Sequence, residues 1–237
     1  MLRLTMARPE RRNAFDAALI AELTDAFSDV GPARVVLLSG DGASFSAGAD
    51  VEWMRSSVEL TYDENVADAL RLRAMLEAID GCQAPVVARV QGHALGGGCG
   101  LVACCDVVVA EPRAVFGFSE VKLGIVPAVI SPFALHKIGS SAARRYFVTG
   151  ERFSAATALA IGLIHEVVDD LSAALERIVG ELLTAGPHAA RAAKELARTP
   201  RTAQETAQEI AAHRTSPEGQ EGLRAFLEKR GASWKVD

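Results

Sequence analysis

Apolar residues in the first half of the chain follow two different spacings. Short apolar runs at Leu2–Met6, Val35–Ser39, Val86–Val90, Val107–Ala110 and, more weakly, Ala114–Phe118 predict strands. Between them, Asp16–Val30 carries Leu19, Ile20, Leu23 and Phe27 at helical spacing, and Tyr62–Ile79 repeats the pattern with Val66, Leu70, Met75, Leu76 and Ile79. Strands alternating with amphipathic helices predict an α/β layer architecture. After about residue 130 the strand signals thin out. Ala-rich and Arg/Glu-rich segments predict helices near Pro132–Ile138, Ala142–Thr149, Ser154–Ala160, Leu171–Thr184, Ala189–Arg198, Thr202–Ala212 and Pro217–Lys229. The division expected is a core at 1–170 and a helical segment at 171–237. No Pro/Gly/Ser-rich linker separates them, so that boundary is expected to be packed. No fixed-period repeat is visible.

Composition narrows the possibilities. At 237 residues, 49% hydrophobic and 23% charged, the chain can bury one large core. A net charge of −5 gives no basic field, which argues against a nucleic-acid partner; an anionic ligand would need local Lys and Arg. No run approaches the ~20 apolar residues of a membrane span and the N-terminus lacks a signal-like stretch, so a cytoplasmic location is expected. Cys82, Cys99, Cys104 and Cys105 contain no C-x-x-C pair, and His165–Asp169 (HEVVD) lacks the second His of H-E-x-x-H. Buried free thiols and a strand are the expectations there, and no metal site is expected.

Three segments carry chemistry. In Pro85–Asp106 a strand runs into Gly96-Gly97-Gly98-Cys99-Gly100 and then a small-residue helix, which leaves backbone N–H groups at a positive helix end. It is neither G-x-G-x-x-G nor a P-loop. An anion or oxyanion cradle is favoured over a plain turn. The second, Ser44–Asp50 (SFSAGAD), has small residues that permit close ligand approach, although turn chemistry accounts for them equally well; Asp50 reads as the N-cap of Val51–Ser57. The third, Phe116–Pro127, sets Glu120 among apolar residues. Either burial tunes it for proton transfer or it pairs with Lys122 or another cation. His93, beside the glycines, reads as loop-positioning.

In this order, S-A-G-A-D, G-H-A-L-G-G-G and F-G-x-x-E-x-x-L-G resemble the enoyl-CoA hydratase/isomerase (crotonase) family, and the likeness runs from Arg8–Ala14 to Glu218–Arg230. The resemblance implies a spiral core of ββα turns followed by a C-terminal helical oligomerisation segment, in homotrimers or homohexamers. It implies an acyl-CoA thioester as substrate, with coenzyme A as part of that substrate and no separate cofactor. The oxyanion hole maps onto the N–H groups of Ala49 and Gly97, and Glu120 onto the second of two catalytic glutamates. CoA contacts map onto Arg11, Arg12, Ala47, Ala49, Asp50, Gly96 and Gly97, with Phe226 and Lys229 reaching over from a neighbouring subunit.

The first glutamate would stand at position 100, where this chain has Gly100. Hydration of an enoyl-CoA by Glu120 is the leading expectation. Isomerisation with Glu120 as sole base comes next, then decarboxylase or thioesterase chemistry, then a non-catalytic CoA- or RNA-binding scaffold. The segments S-A-G-A-D-V-E-W-M, K-L-G-I-V-P-A-V-I-S-P-F and R-Y-F-V-T-G-E-R-F resemble a bacterial subgroup linked to methylglutaconyl- and isohexenylglutaconyl-CoA hydration, which shares glycine at that position. Family chains usually carry a further strand ahead of Leu2–Met6, so this chain is expected to begin inside that hairpin.

Overall fold

The central strands are apolar at consecutive positions because both faces of their sheet are covered. One face sends Val36, Leu38, Val86, Ala88, Val90, Val108 and Ala110 into the main core. The other sends Val35, Leu37, Val87 and Val109 against Leu171, Ala174, Leu175 and Ile178 of a helix that closes this side. Such double coverage is the usual setting of parallel strands.

A computed structural model describes residues 1–235. Its strands are β1 (Leu2–Met6), β2 (Val36–Gly40), β3 (Val86–Val90), β4 (His93–Leu95), β5 (Val107–Ala110), β6 (Val115–Gly117), β7 (Arg152–Ser154) and β8 (Glu166–Val167). Its helices are α1 (Ala17–Ser28), α2 (Val51–Ser57), α3 (Tyr62–Asp80), α4 (Gly97–Cys104), α5 (Ser131–Thr149), α6 (Ala155–Ala160), α7 (Leu171–Thr184), α8 (Pro187–Arg198), α9 (Ala203–Thr215) and α10 (Pro217–Leu227). The main sheet has the order β1-β2-β3-β5-β8 with every pairing parallel. In a second sheet β4 pairs parallel with β6, and β6 antiparallel with β7.

The α/β class holds, with three differences from the sequence reading. First, β4 and β7 are strands of three residues, too short to show a period. Second, the helices expected at Pro132–Ile138 and Ala142–Thr149 form one element, kinked at Gly139 (φ 67°, ψ 170°), a backbone conformation that glycine tolerates. Third, the inward face of α3 is Asp68, Met75, Leu76 and Ile79 with Leu72 beside them, whereas Val66 and Leu70 point to solvent. At about 100° per residue, positions 66 and 70 are rotated roughly a quarter to a third of a turn from that stripe. Asp68 lies on it, four and eight residues before Leu72 and Leu76.

The C-terminal helices are tied to the core by polar contacts as well as by α7. Arg34 donates to the carbonyls of Leu183, Ala185 and Trp234 at 2.7–2.8 Å. Arg198 holds Asp80, and the nearly buried Lys194 holds Asp106 at 2.8 Å. The Glu218 carboxylate caps α8 by accepting from the N–H groups of His188 and Ala189. Among the described residues no helix is long and apolar enough to cross a membrane.

Candidate active site

The glycine-rich turn and the Ser44–Asp50 segment lie against each other. Phe45 and Ser46 donate to the Gln91 and His93 carbonyls, and Leu95 N–H returns a bond to Ser46 O. Only small residues permit this approach. A side chain at Gly48 would meet Leu95 O at 2.5 Å and stand 3.5 Å from Gly97 N; one at Gly98 would meet Ser46 O at 2.6 Å; one at Gly97 would overlap the Phe15 ring. Buried Asn13 locks the segment, its Nδ2 donating to the carbonyls of Asp41 and Ser44 at 2.8 Å.

This packing leaves two N–H groups open side by side. Gly97 opens α4, so its N–H has no acceptor within the helix. Its neighbour across the turn is Ala49. Gly48 N–H is taken by Ser46 Oγ and Asp50 N–H by Phe15 O, but Ala49 N–H makes no backbone hydrogen bond among the described residues. Two unpaired donors lining one cavity, one of them at a helix N-terminus, can hold a developing negative charge.

Glu120 faces the same turn. It opens a 3-10 turn, Glu120–Leu123, that β6 delivers directly beside β4, with Gly96 N–H donating to Gly117 O at 2.8 Å. The buried Cys99 thiol adds a second tie, donating to Ala94 O and accepting from Gly117 N–H. A side chain at Gly96 would stand 3.3 Å from Glu120 Oε1, so the glycine leaves room for the carboxyl beside the turn. Glu120 Oε2 is buried without a hydrogen-bond partner. Burial pushes the Glu120 pKa above its ordinary value. The alternative pairing with Lys122 does not form: among the described residues Glu120 makes no ion pair, and the Lys122 stem runs toward Gly150.

Donors and carboxyl open into one cavity of about 340 Å³. Phe15, Trp53, Met54, Leu72, Val129 and Ile130 supply apolar wall, and the ionisable side chains that line it are Glu120 and Asp68. Position 100 offers no third. A side chain there would meet Ile130 Cγ2 at 2.6 Å and Leu76 Cδ2 at 3.6 Å, so hydrocarbon fills the place into which a carboxylate would project.

The sequence model of the enoyl-CoA hydratase/isomerase family matches residues 1–237. The chain belongs to this family. It is 34% identical to a putative enoyl-CoA hydratase of Thermus thermophilus, over 94% of this chain and 92% of that protein. It is also 34% identical to a crotonyl-CoA hydratase of Syntrophomonas wolfei, over 98% and 93%. The crystal structure of an enoyl-CoA hydratase from Shewanella pealeana superposes with a TM-score of 0.92 at 39% identity, covering 99% of this chain and 94% of that one.

Within the family's frame the remaining predicted residues fall into three places. Ala47, Ala49, Gly96 and Gly97 line the cavity with Glu120. Arg11 and Asp50 line a separate depression together with Arg8, Asp16, Glu52 and Trp53, and Arg12 follows Arg11 at the end of the Pro9–Arg11 turn without lining it. Asp50 there is an N-cap and a charge partner: it accepts from Glu52 N–H and faces Arg8 at 3.4 Å and Arg11 at 4.0 Å. Phe226 and Lys229 follow at the exposed end of α10, outside the cavity of their own chain. Sequence reasoning missed Arg8, Asn13 and Asp68. Asp68 carried no clear signal, since Val66 and Leu70 pointed to a different inward face for α3.

Proposed function

We infer that the protein adds water across the 2,3 double bond of an enoyl-CoA thioester. The observation that carries this reading is the pair of open N–H donors, Ala49 and Gly97, set beside a buried and unpartnered carboxyl in a chain of this family. The thioester oxygen accepts from both donors, and the negative charge that reaches it as the enolate forms is stabilised by about 3–4 kcal/mol per donor. Glu120, its pKa raised by burial, delivers a proton to C2 and recovers one as the cycle closes. Coenzyme A enters as part of the substrate and no separate cofactor takes part. Half-exposed Arg11, with Arg12 next to it in the chain, supplies local positive charge for its phosphates, while Arg8 is already paired with Asp16 and Asp50.

The same reading makes the enzyme a homotrimer or homohexamer, supported by Leu223, Phe226 and Leu227, all exposed on α10. It also sets the enzyme in the cytoplasm, where the four unpaired cysteines suit a reducing compartment.

Isomerisation is the competing reading, because position 100 has no room for a second glutamate. Supplying a 2-enoyl-CoA and a 3-enoyl-CoA separately decides between them. Hydration predicts a 3-hydroxyacyl-CoA from the first; a shifted double bond from the second, with no hydroxyacyl product from the first, overturns it. Glu120→Gln is expected to lower turnover by about 10²–10⁴-fold while acyl-CoA binding persists.

A further inference from the structure

We propose that Asp68 on α3 is the second proton-handling residue of this cavity, acting on the water while Glu120 acts on C2. The inference rests on the hydratase reading. Hydration needs a proton removed from water and a proton placed on carbon, and the two tasks are easiest for two groups held in opposite protonation states. The cavity lining holds two carboxyl side chains, and only one of them has a cation beside it. Glu120 is buried without a cation, with Oε2 unpartnered. Asp68 is 9% exposed and makes an ion pair through Oδ1 with Arg71 at 2.7 Å. Arg71 does not line the cavity; its own side chain is 59% exposed. Its guanidinium balances the Asp68 charge from outside, and Oδ2 makes no hydrogen bond among the described residues.

The placement of Asp68 is specific. It sits on the inward stripe of α3, one turn before Leu72, which lines the cavity, and two turns before Leu76, which helps fill the space beside Gly100. Arg71 is largely exposed and lies outside the cavity lining, whereas Asp68 is part of it. The hydrocarbon that closes position 100 thus coexists with a carboxylate reaching the same cavity from a different helix.

Asp68 carboxylate takes a proton from water as the water oxygen bonds to C3. The π pair moves through C2 to the thioester oxygen held by Ala49 and Gly97. The enolate returns the pair to C2, which takes the proton from the Glu120 carboxyl. Asp68 ends protonated and Glu120 ionised, and proton exchange through solvent resets both.

The test separates the two tasks. Glu120 alone should exchange the C2 protons of a saturated acyl-CoA with deuterated solvent, a reaction that needs no attacking water. In Asp68→Asn, hydration of a 2-enoyl-CoA should fall by 10²-fold or more with KM within about 3-fold, while C2 exchange stays within about 3-fold of the parent enzyme. Asp68→Glu should recover part of the lost hydration, and both variants should keep the parent's circular dichroism. Hydration by Asp68→Asn within 3-fold of the parent overturns the assignment and leaves the hydratase reading standing. Parallel loss of hydration and exchange also overturns it, since that pattern marks a structural role. A parent enzyme that exchanges C2 protons but hydrates no 2-enoyl-CoA removes the hydratase reading and this inference with it.

Discussion

The cavity has two unlike walls. The inner wall, made of the glycine-rich turn, the Ser44–Asp50 segment, Phe15 and Ile130, is built from core: Phe15, Phe45, Ala94 and Ile130 are at most 2% exposed. The outer wall, made by the turn after Glu120, exposes Leu123, Ile125 and Val126 at 56–68%. Groups that must be held to a fraction of an ångström sit where packing leaves no freedom, while the apolar groups that meet the acyl chain sit where change is cheap. Substitutions on the inner wall should therefore damage chemistry or stability, and substitutions on the outer wall should alter substrate fit.

The harshest test of the inner wall is Gly97→Ala. Its methyl group overlaps the Phe15 ring, so either the ring or the start of α4 must move, and the Gly97 N–H moves with it. Losing one oxyanion donor costs about 10²–10³-fold in kcat. Steady-state kinetics should show that loss mainly in kcat. A kcat within a few-fold of the parent would show that Gly97 is not a donor.

Gly100→Glu asks whether the missing carboxylate can simply be restored. With Ile130 Cγ2 at 2.6 Å from the new Cβ, overpacking and a charge without a partner should destabilise the protein by about 2–4 kcal/mol. Denaturant unfolding measures this, and Gly100→Glu with Ile130→Ala should recover part of it. If Gly100→Glu alone is as stable as the parent, hydrocarbon does not close that position.

How much of this was legible beforehand follows from where the information lies. The strand runs of β1, β3 and β5, and the extents of α2 and α7, could be read because period and length are local properties. The three-residue β4 and β7 exist through pairing with β6, which is a tertiary fact. Gly96, Gly97 and Glu120 could be marked as candidates because a backbone cradle needs glycine and the ordered motifs resemble a family, and all three line one cavity. The absence of glutamate at position 100 was visible, but not that Ile130 and Leu76 fill its place, since one comes from the residue before α5 and the other from α3. Asp68 escaped notice because Val66 and Leu70 suggested a different inward face for α3, and only packing against α1 and α4 fixes which face is buried.

A smaller effect should appear in stability. Burial raises the Glu120 pKa in the folded protein above its unfolded value near 4.5. The carboxyl therefore supports folding below the unfolded pKa, and that contribution is lost as pH rises through the folded pKa. Above the folded pKa the carboxyl ionises, and its buried charge opposes folding. Glu120→Gln removes that charge and should raise Tm relative to the parent at pH 8, with the gap closing toward pH 4. Thermal melts across this range check it; a gap that widens on acidification would contradict the assigned direction.

The outer wall should give the smallest effect on folding and the clearest effect on substrate choice. Leu123 and Val126 are 62% and 68% exposed, so Leu123→Ser and Val126→Ser remove little buried surface and should change unfolding free energy by less than about 0.5 kcal/mol. Both line the cavity that receives the acyl chain. Removing apolar contact there should raise KM for longer 2-enoyl-CoA esters several-fold and leave short ones nearly unchanged, because only a longer chain reaches that wall. If KM rises equally for short and long esters, or if stability falls as far as in Gly100→Glu, the two walls are not divided between chemistry and fit.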